Sequence, residues 1–375
     1  MARTDTLGHF LTDVADAIRE KKGTSETIQA SDFDTEIENL PSGGDLSEYF
    51  NTEITRNTSM YGYANIIKKI PTITVANNVT SLAYFFGGMK AVDSLPKVIC
   101  GNNVTNMLMM YANTDGNTGN NKITQLDVSG LDTSNVTNMS QMFYGLFALS
   151  QITGLSNFNT SNVTNMSNMF GGLRTITSID ISNFNTSSVT TMRTMFEGSQ
   201  RLSEIIFGEN FTTENVTGTG FEEMFWNTKI TEIPSKIVVT SKATSLAGMF
   251  AITNIANAVI PQGWDVSNVT TISAMFRGSS YQSVDLSNCN FSNKLKNTSS
   301  LFYDGTNLSF ADLRTIDFTN ITSYNYMFGQ NSTNGVPSNC EIIVADDTSK
   351  TWITSKFTWL TNVKTVAEYE AEQSE

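Results

Sequence analysis

Ten segments of this 375-residue chain are versions of one short phrase, and every version closes on an aromatic residue. The plainest copies are NVTNMSQMF at 135–143 and NVTNMSNMF at 162–170. Aligned on the closing residue, the copies end at Phe86, Tyr111, Phe143, Phe170, Phe196, Phe225, Phe250, Phe276, Phe302 and Phe328, with successive gaps of 25, 32, 27, 26, 29, 25, 26, 26 and 26. So short a unit is one layer thick and cannot cover its own apolar side. Its copies must stack and share a continuous core, which excludes most globular architectures at once.

Each copy adjoins a weaker pattern in which apolar residues alternate: ITQLDV (123–128), ITSIDI (176–181), LSEIIF (202–207), YQSVDL (281–286) and LRTIDF (313–318). Alternation of this kind describes a short strand with one buried face. Gly145, Gly171, Gly172, Gly198, Gly278 and Gly329 follow the aromatic and supply turns that favour positive φ. The predicted fold is mainly β with short helices and turns. It is a leucine-rich-repeat solenoid of about ten coils of about 26 residues, its strands forming one parallel sheet over a core of Val, Met and Phe.

The phrase LDVSGLDTSNVTNMSQMF (126–143) resembles the BspA-type leucine-rich repeat of bacterial surface proteins and lipoproteins. The likeness runs over about residues 60–345 and is close at 123–196 and 264–286. It fades at 215–225, where one residue is inserted, and at 242–250, where Lys242 and Ala243 replace Asn-Val. It implies a solenoid used for adhesion and recognition, without catalysis.

Residues 1–45 follow neither pattern. In LGHFLTDVADAIREKKG (7–23), Leu7, Phe10, Leu11, Val14 and Ile18 fall at helical spacing, and Ser31 is a candidate N-cap for a second helix at 28–40. With Ala15, Ile18, Arg19, Glu20, Lys21 and Gly23 in its pattern, the segment resembles the start of phage and prophage tail or virion-associated proteins. That resemblance implies that Leu7, Phe10, Leu11, Val14 and Ile18 attach the chain to structural proteins of a phage tail or head. The expected division is a helical attachment segment at 1–45, the solenoid at 46–340, and a C-terminal cap with a solvated acidic tail at 341–375. Tyr49–Tyr63 is expected to cap the other end of the array.

Composition narrows the function classes. A net charge of −13 argues against nucleic acid and anionic membrane as partners. No run of about 18 apolar residues predicts membrane insertion, and MARTDTLGHFLTDVADAIREKK lacks a signal-peptide core. Cys100, Cys289 and Cys340 have no metal spacing and read as reduced, buried thiols. The only histidine, His9, adjoins no nucleophile, and a smooth array offers no catalytic cleft. We therefore expect no enzyme activity, cofactor or metal.

The NVT tripeptides are expected to tie turns rather than to carry glycans, with Asn and Thr bonding backbone groups of neighbouring coils. Met107, Met139, Met166, Met192, Met249 and Met275 are expected in the core. The candidate binding residues lie on the outward strand face, where Asp127, Asp180, Asp285 and Asp317 form one column and Gln125, Ser178, Glu204, Glu232, Ser283 and Thr315 another. Such a face suits the hydroxyls of a bacterial surface glycan, or a protein. The leading expectation is a receptor-binding or fibre-like protein of a phage or prophage virion, made in the bacterial cytoplasm. The alternatives are a BspA-type adhesin on the bacterial cell surface and a virion decoration protein without a ligand. A homo-oligomer is compatible with either, although no heptad run demands one.

Overall fold

The computed structural model describes residues 15–16, 18–19, 25, 53–54, 72–88, 93–113, 122–278, 280–331 and 335–374. The predicted solenoid is present. Its strands are β1 (Glu53–Ile54), β2 (Thr72–Val75), β3 (Lys97–Ile99), β4 (Gln125–Asp127), β5 (Gln151–Thr153), β6 (Ser178–Ile181), β7 (Glu204–Phe207), β8 (Asn257–Val259), β9 (Ser283–Asp285), β10 (Phe310–Asp312), β11 (Glu341–Val344) and β12 (Val363–Thr365). Two short helices, α1 (Asp347–Lys356) and α2 (Val366–Gln373), flank β12.

The ten aromatics found by spacing stack on one another without a gap. From Phe86 through Tyr111 to Phe328, each ring lies 5.5–6.4 Å from the next and is tilted by at most 30°. Ten rungs thus enclose nine turns. The six methionines singled out above are buried beside them. Tyr111 is the one rung with a hydroxyl, and that oxygen is buried without a hydrogen-bond partner among the described residues. By contrast the buried Tyr281 hydroxyl meets Thr253 Oγ1 at 2.8 Å. An orphaned buried hydroxyl costs about 1–3 kcal/mol, so Tyr111→Phe is expected to raise stability by about 1 kcal/mol in urea unfolding.

The sheet is not continuous as expected. Among the described residues all strand pairings are parallel, but they form four pieces: β1–β2–β3, β4–β5, β6–β7 and β8 through β12. Between β3 and β4 the register jumps, so that Cys100 bridges Leu131. After β5, Gly154 adopts φ 95° and turns the chain into a 3-10 segment, Leu155–Asn157. Between β7 and β8 the chain passes Pro234 without forming a strand, because proline has no N–H for the ladder.

Positive φ recurs in two columns, of which only one was legible. The expected glycine turn holds at Gly145, Gly172, Gly198, Gly278 and Gly329, but Gly171 is not left-handed. The second column lies two residues before the aromatic and is mostly not glycine: Tyr84, Met109, Gln141, Asn168, Thr194, Glu223, Ala274, Ser300 and Tyr326. From Tyr84 to Ser300, left-handed geometry there aims the N–H at the next coil, as when Gln141 donates to the Ser167 carbonyl (2.8 Å) and Ala274 to Ser299 (2.9 Å).

At the C-terminal end, β11 and β12 extend the sheet and α1 packs Trp352 against Phe318 (5.2 Å) and Tyr324 (5.0 Å). The acidic tail forms α2. Thr365 and Glu368 form its capping box, and Lys350 pairs with Glu368 at 2.7 Å. At the other end, β1 lies within the expected cap 49–63 and pairs with β2. Leu7, Phe10, Leu11 and Val14 lie outside the described residues, whereas Ile18 is buried in the apolar core with Ala15.

Candidate functional site

The polar repeat residues hold the scaffold together. Asn135, Asn162, Asn215 and Asn268 donate from Nδ2 to carbonyls of the preceding coil at 2.7–2.8 Å. Where the repeat degrades, Lys242 takes the asparagine's place and its ammonium bonds Asn215 Oδ1 instead. Thr137, Thr164 and Thr190 form an outer ladder, each hydroxyl 3.2 Å from the carbonyl of the threonine below. The expected role of the NVT tripeptides as turn ties is thus visible bond by bond. A further ladder was not foreseen. Thr133, Thr160, Thr186 and Thr213 are buried, and each hydroxyl takes both the N–H and the carbonyl of one residue in the next coil, at 2.6–3.0 Å.

On this scaffold the strand register tests the predicted face. Gln125 pairs with Gln151, Ser178 with Glu204, and Asn257 with Ser283, forming one outward column. Asp127, Asp180 and Asp285 form the column two residues on, and each carboxylate accepts the N–H of the serine two residues later at 2.8–2.9 Å. Bonds from the Ser129 side chain and backbone hold Asp127 below the ordinary carboxylate range, and those from Ser182 do the same for Asp180.

Two predicted residues are not on this face. LRTIDF is not the strand, because Phe310–Asp312 pairs with both β9 and β11. Asp312, level with Asp285, is the residue in the column, and it is buried against Arg314 (2.8 Å). Asp317 instead caps the 3-10 segment Phe318–Asn320, accepting from the Thr319 N–H, and Thr315 bonds the Leu286 carbonyl (3.1 Å). Both phases alternate apolar and polar residues, so pattern alone did not separate them. Glu232 is exposed as expected, but its coil has no strand.

Two of the remaining face residues, Ser178 and Asp180, line an open groove of about 330 Å³ at the break between β5 and β6. Its apolar floor is Ile152, Leu155, Ile176 and Ile179, and its polar wall is Ser150, Gln151, Ser156, Ser178, Asp180 and Asn183. Gly154 makes the break possible: a Cβ there would lie 2.4 Å from the Ser129 nitrogen. Asn183 secures the rim by donating to the Leu155 (3.1 Å) and Phe158 (2.8 Å) carbonyls. Ser178 and Asp180 were among the sequence candidates. Gln151, Ser156 and Asn183 were not, because the groove arises from a backbone departure that no repeat column records.

Among the described residues, no group of three or more His, Cys, Asp or Glu is placed to hold a metal ion, and no helix is long and apolar enough to cross a membrane. Cys100, Cys289 and Cys340 are free and buried. Burial pushes the Cys100 thiol up to about 11 and the other two to about 12.

A family described as "Mycoplasma protein of unknown function, DUF285" matches residues 105–236 and 219–339. Together these matches run over more than half of the 375 residues. The chain belongs to the DUF285 family. No curated protein matches this DUF285 chain in sequence. Among solved structures it is similar to a leucine-rich repeat protein from Bacteroides ovatus (10% identity, TM-score 0.37, covering 84% of this chain and 88% of that one). It is also similar to a leucine rich cell surface protein from Faecalibacterium prausnitzii (14%, TM-score 0.33, 85% of each chain) and to the pneumococcal vaccine antigen PcpA (10%, TM-score 0.31, 84% of each chain). Likeness at this level says nothing about what the DUF285 chain binds.

Proposed function

We propose that this DUF285 chain is a recognition protein of the adhesin type, displayed on a bacterial cell surface, and that the β5–β6 groove holds a sugar. The groove's composition carries the reading. An apolar floor suits the C–H face of a pyranose, while Gln151, Ser178, Asn183 and the ionised Asp180 suit its hydroxyls. The repeat phrase's resemblance to BspA-type surface proteins supports the surface location. Virion delivery rests on the N-terminal segment, and neither the array nor the groove adds to it.

A glycan array probed with the full chain is expected to give discrete hits. Gln151→Ala and Asp180→Ala should each weaken a hit at least tenfold while leaving thermal unfolding unchanged. Failure to bind any bacterial or host glycan, or hits indifferent to both substitutions, would sink the sugar assignment. Surface display is checked separately, by protease access to the chain on intact cells against its recovery in purified phage particles.

A further inference from the structure

The acidic column is interrupted between Asp180 and Asp285. The buried Leu202, Ile230 and Ile255 mark the same point in three successive coils. Three residues later Ile205, Ile233 and Ala258 face the core, and the next residues, Ile206, Pro234 and Val259, hold the same sequence position in the three coils. Ile206 is 42% and Val259 53% exposed, and Pro234 is half-buried. Across these coils the outward column is apolar, between Asp180, level with Ile206, and Asp285, level with Val259. Single exposed aliphatics are ordinary, whereas a contiguous row edged by charge marks an interaction surface.

Its edges are acidic. Glu204 and Glu232 stand two residues before Ile206 and Pro234, both exposed and in no ion pair among the described residues. Asp285 closes the far end, level with Val259. We propose that this stripe docks an extended, basic segment of another protein. An aliphatic side chain of the partner would rest on Ile206, Pro234 and Val259, and flanking Lys or Arg would meet Glu204 and Glu232. Apolar contact at the centre with charge at the rim is the usual anatomy of such interfaces. A second copy of this chain fits poorly, since it would set these carboxylates against themselves on a chain of net charge −13. The surface shares no residue with the sugar groove and stands or falls separately from it.

The test uses the full chain and two labelled peptides of about twelve residues, one alternating Lys with Val and one Lys with Ser, compared by fluorescence anisotropy. The Lys–Val peptide is expected to bind at least tenfold more tightly. Ile206→Thr with Val259→Thr, which keeps β-branched residues in the strands, should erase that difference. Glu204→Gln with Glu232→Gln should weaken Lys–Val binding several-fold and flatten its salt dependence. Gln151→Ala, in the groove and two coils away from Ile206, should leave it unchanged. Equal binding of the two peptides overturns the proposal, as does Lys–Val binding that ignores the threonine variants. A concentration-dependent dimer abolished by Val259→Thr would also overturn it, by assigning the stripe to a second copy.

Discussion

Replacing Phe196 by alanine is expected to destabilise the array by about 3–5 kcal/mol, the range for removing a fully buried phenylalanine. Phe196 is 0% exposed, and its ring stacks on Phe170 at 5.8 Å and Phe225 at 5.6 Å, nearly parallel to both. Neither neighbour can close the gap, because each is also held by the next ring along, Phe143 at 5.5 Å and Phe250 at 5.6 Å. A solenoid's stability is close to a sum of coil terms and nearest-neighbour interface terms. A missing rung therefore weakens two interfaces and leaves distant ones intact. Hydrogen exchange should quicken first in coils containing β6 and β7, with the five strands from β8 to β12 protected longer. Tyr326→Ala is the matched control: its ring is 53% exposed on the surface, and its loss should cost less than about 0.5 kcal/mol. A cost for Phe196→Ala below about 1 kcal/mol, or faster exchange spread evenly along the chain, would refute the ladder as the source of cooperativity.

Much of this fold was legible because its main signal is side-chain periodicity. The aromatic column returns at near-constant spacing, and stacking needs only that the spacing match the coil length. The longest gap, before Phe143, still places its ring 5.9 Å from Tyr111. What escaped the sequence depends on backbone conformation. The left-handed column falls on residues as unlike as Met109, Glu223 and Ala274, so composition carries no trace of it. The same holds for the groove, which exists because Gly154 leaves the ladder. The false strand at 313–318 arose differently. Ile316 and Phe318 are buried as a strand's inward residues would be, yet they belong to the turn, and only pairing with β9 and β11 selects Phe310–Asp312. The buried threonines were passed over because a polar residue in a turn phrase reads as exposed.

Those threonines carry the second large effect. Thr186 is 0% exposed; its hydroxyl donates to the Thr212 carbonyl (2.6 Å) and accepts the Thr212 N–H (2.7 Å). Valine has nearly the same shape and the same β-branching, so Thr186→Val leaves the packing in place while orphaning both backbone groups of Thr212. An unsatisfied buried group costs about 1–3 kcal/mol, and the pair should cost about 2–4 kcal/mol in urea unfolding. Thr186→Ser keeps the hydroxyl and loses one methyl, worth about 1 kcal/mol. Thr190 belongs to the outer ladder, and the Thr164 carbonyl that it bonds at 3.2 Å also accepts the Thr190 N–H at 2.9 Å. Thr190→Val orphans nothing and should cost less than about 0.5 kcal/mol. The order Thr186→Val, Thr186→Ser, Thr190→Val is therefore the measurement that matters. Equal costs for the two valine variants would mean that aromatic and aliphatic packing alone sets the spacing of the coils. The expected order would mean that buried hydroxyls fix the coil register, and with it the height at which each face residue meets a ligand.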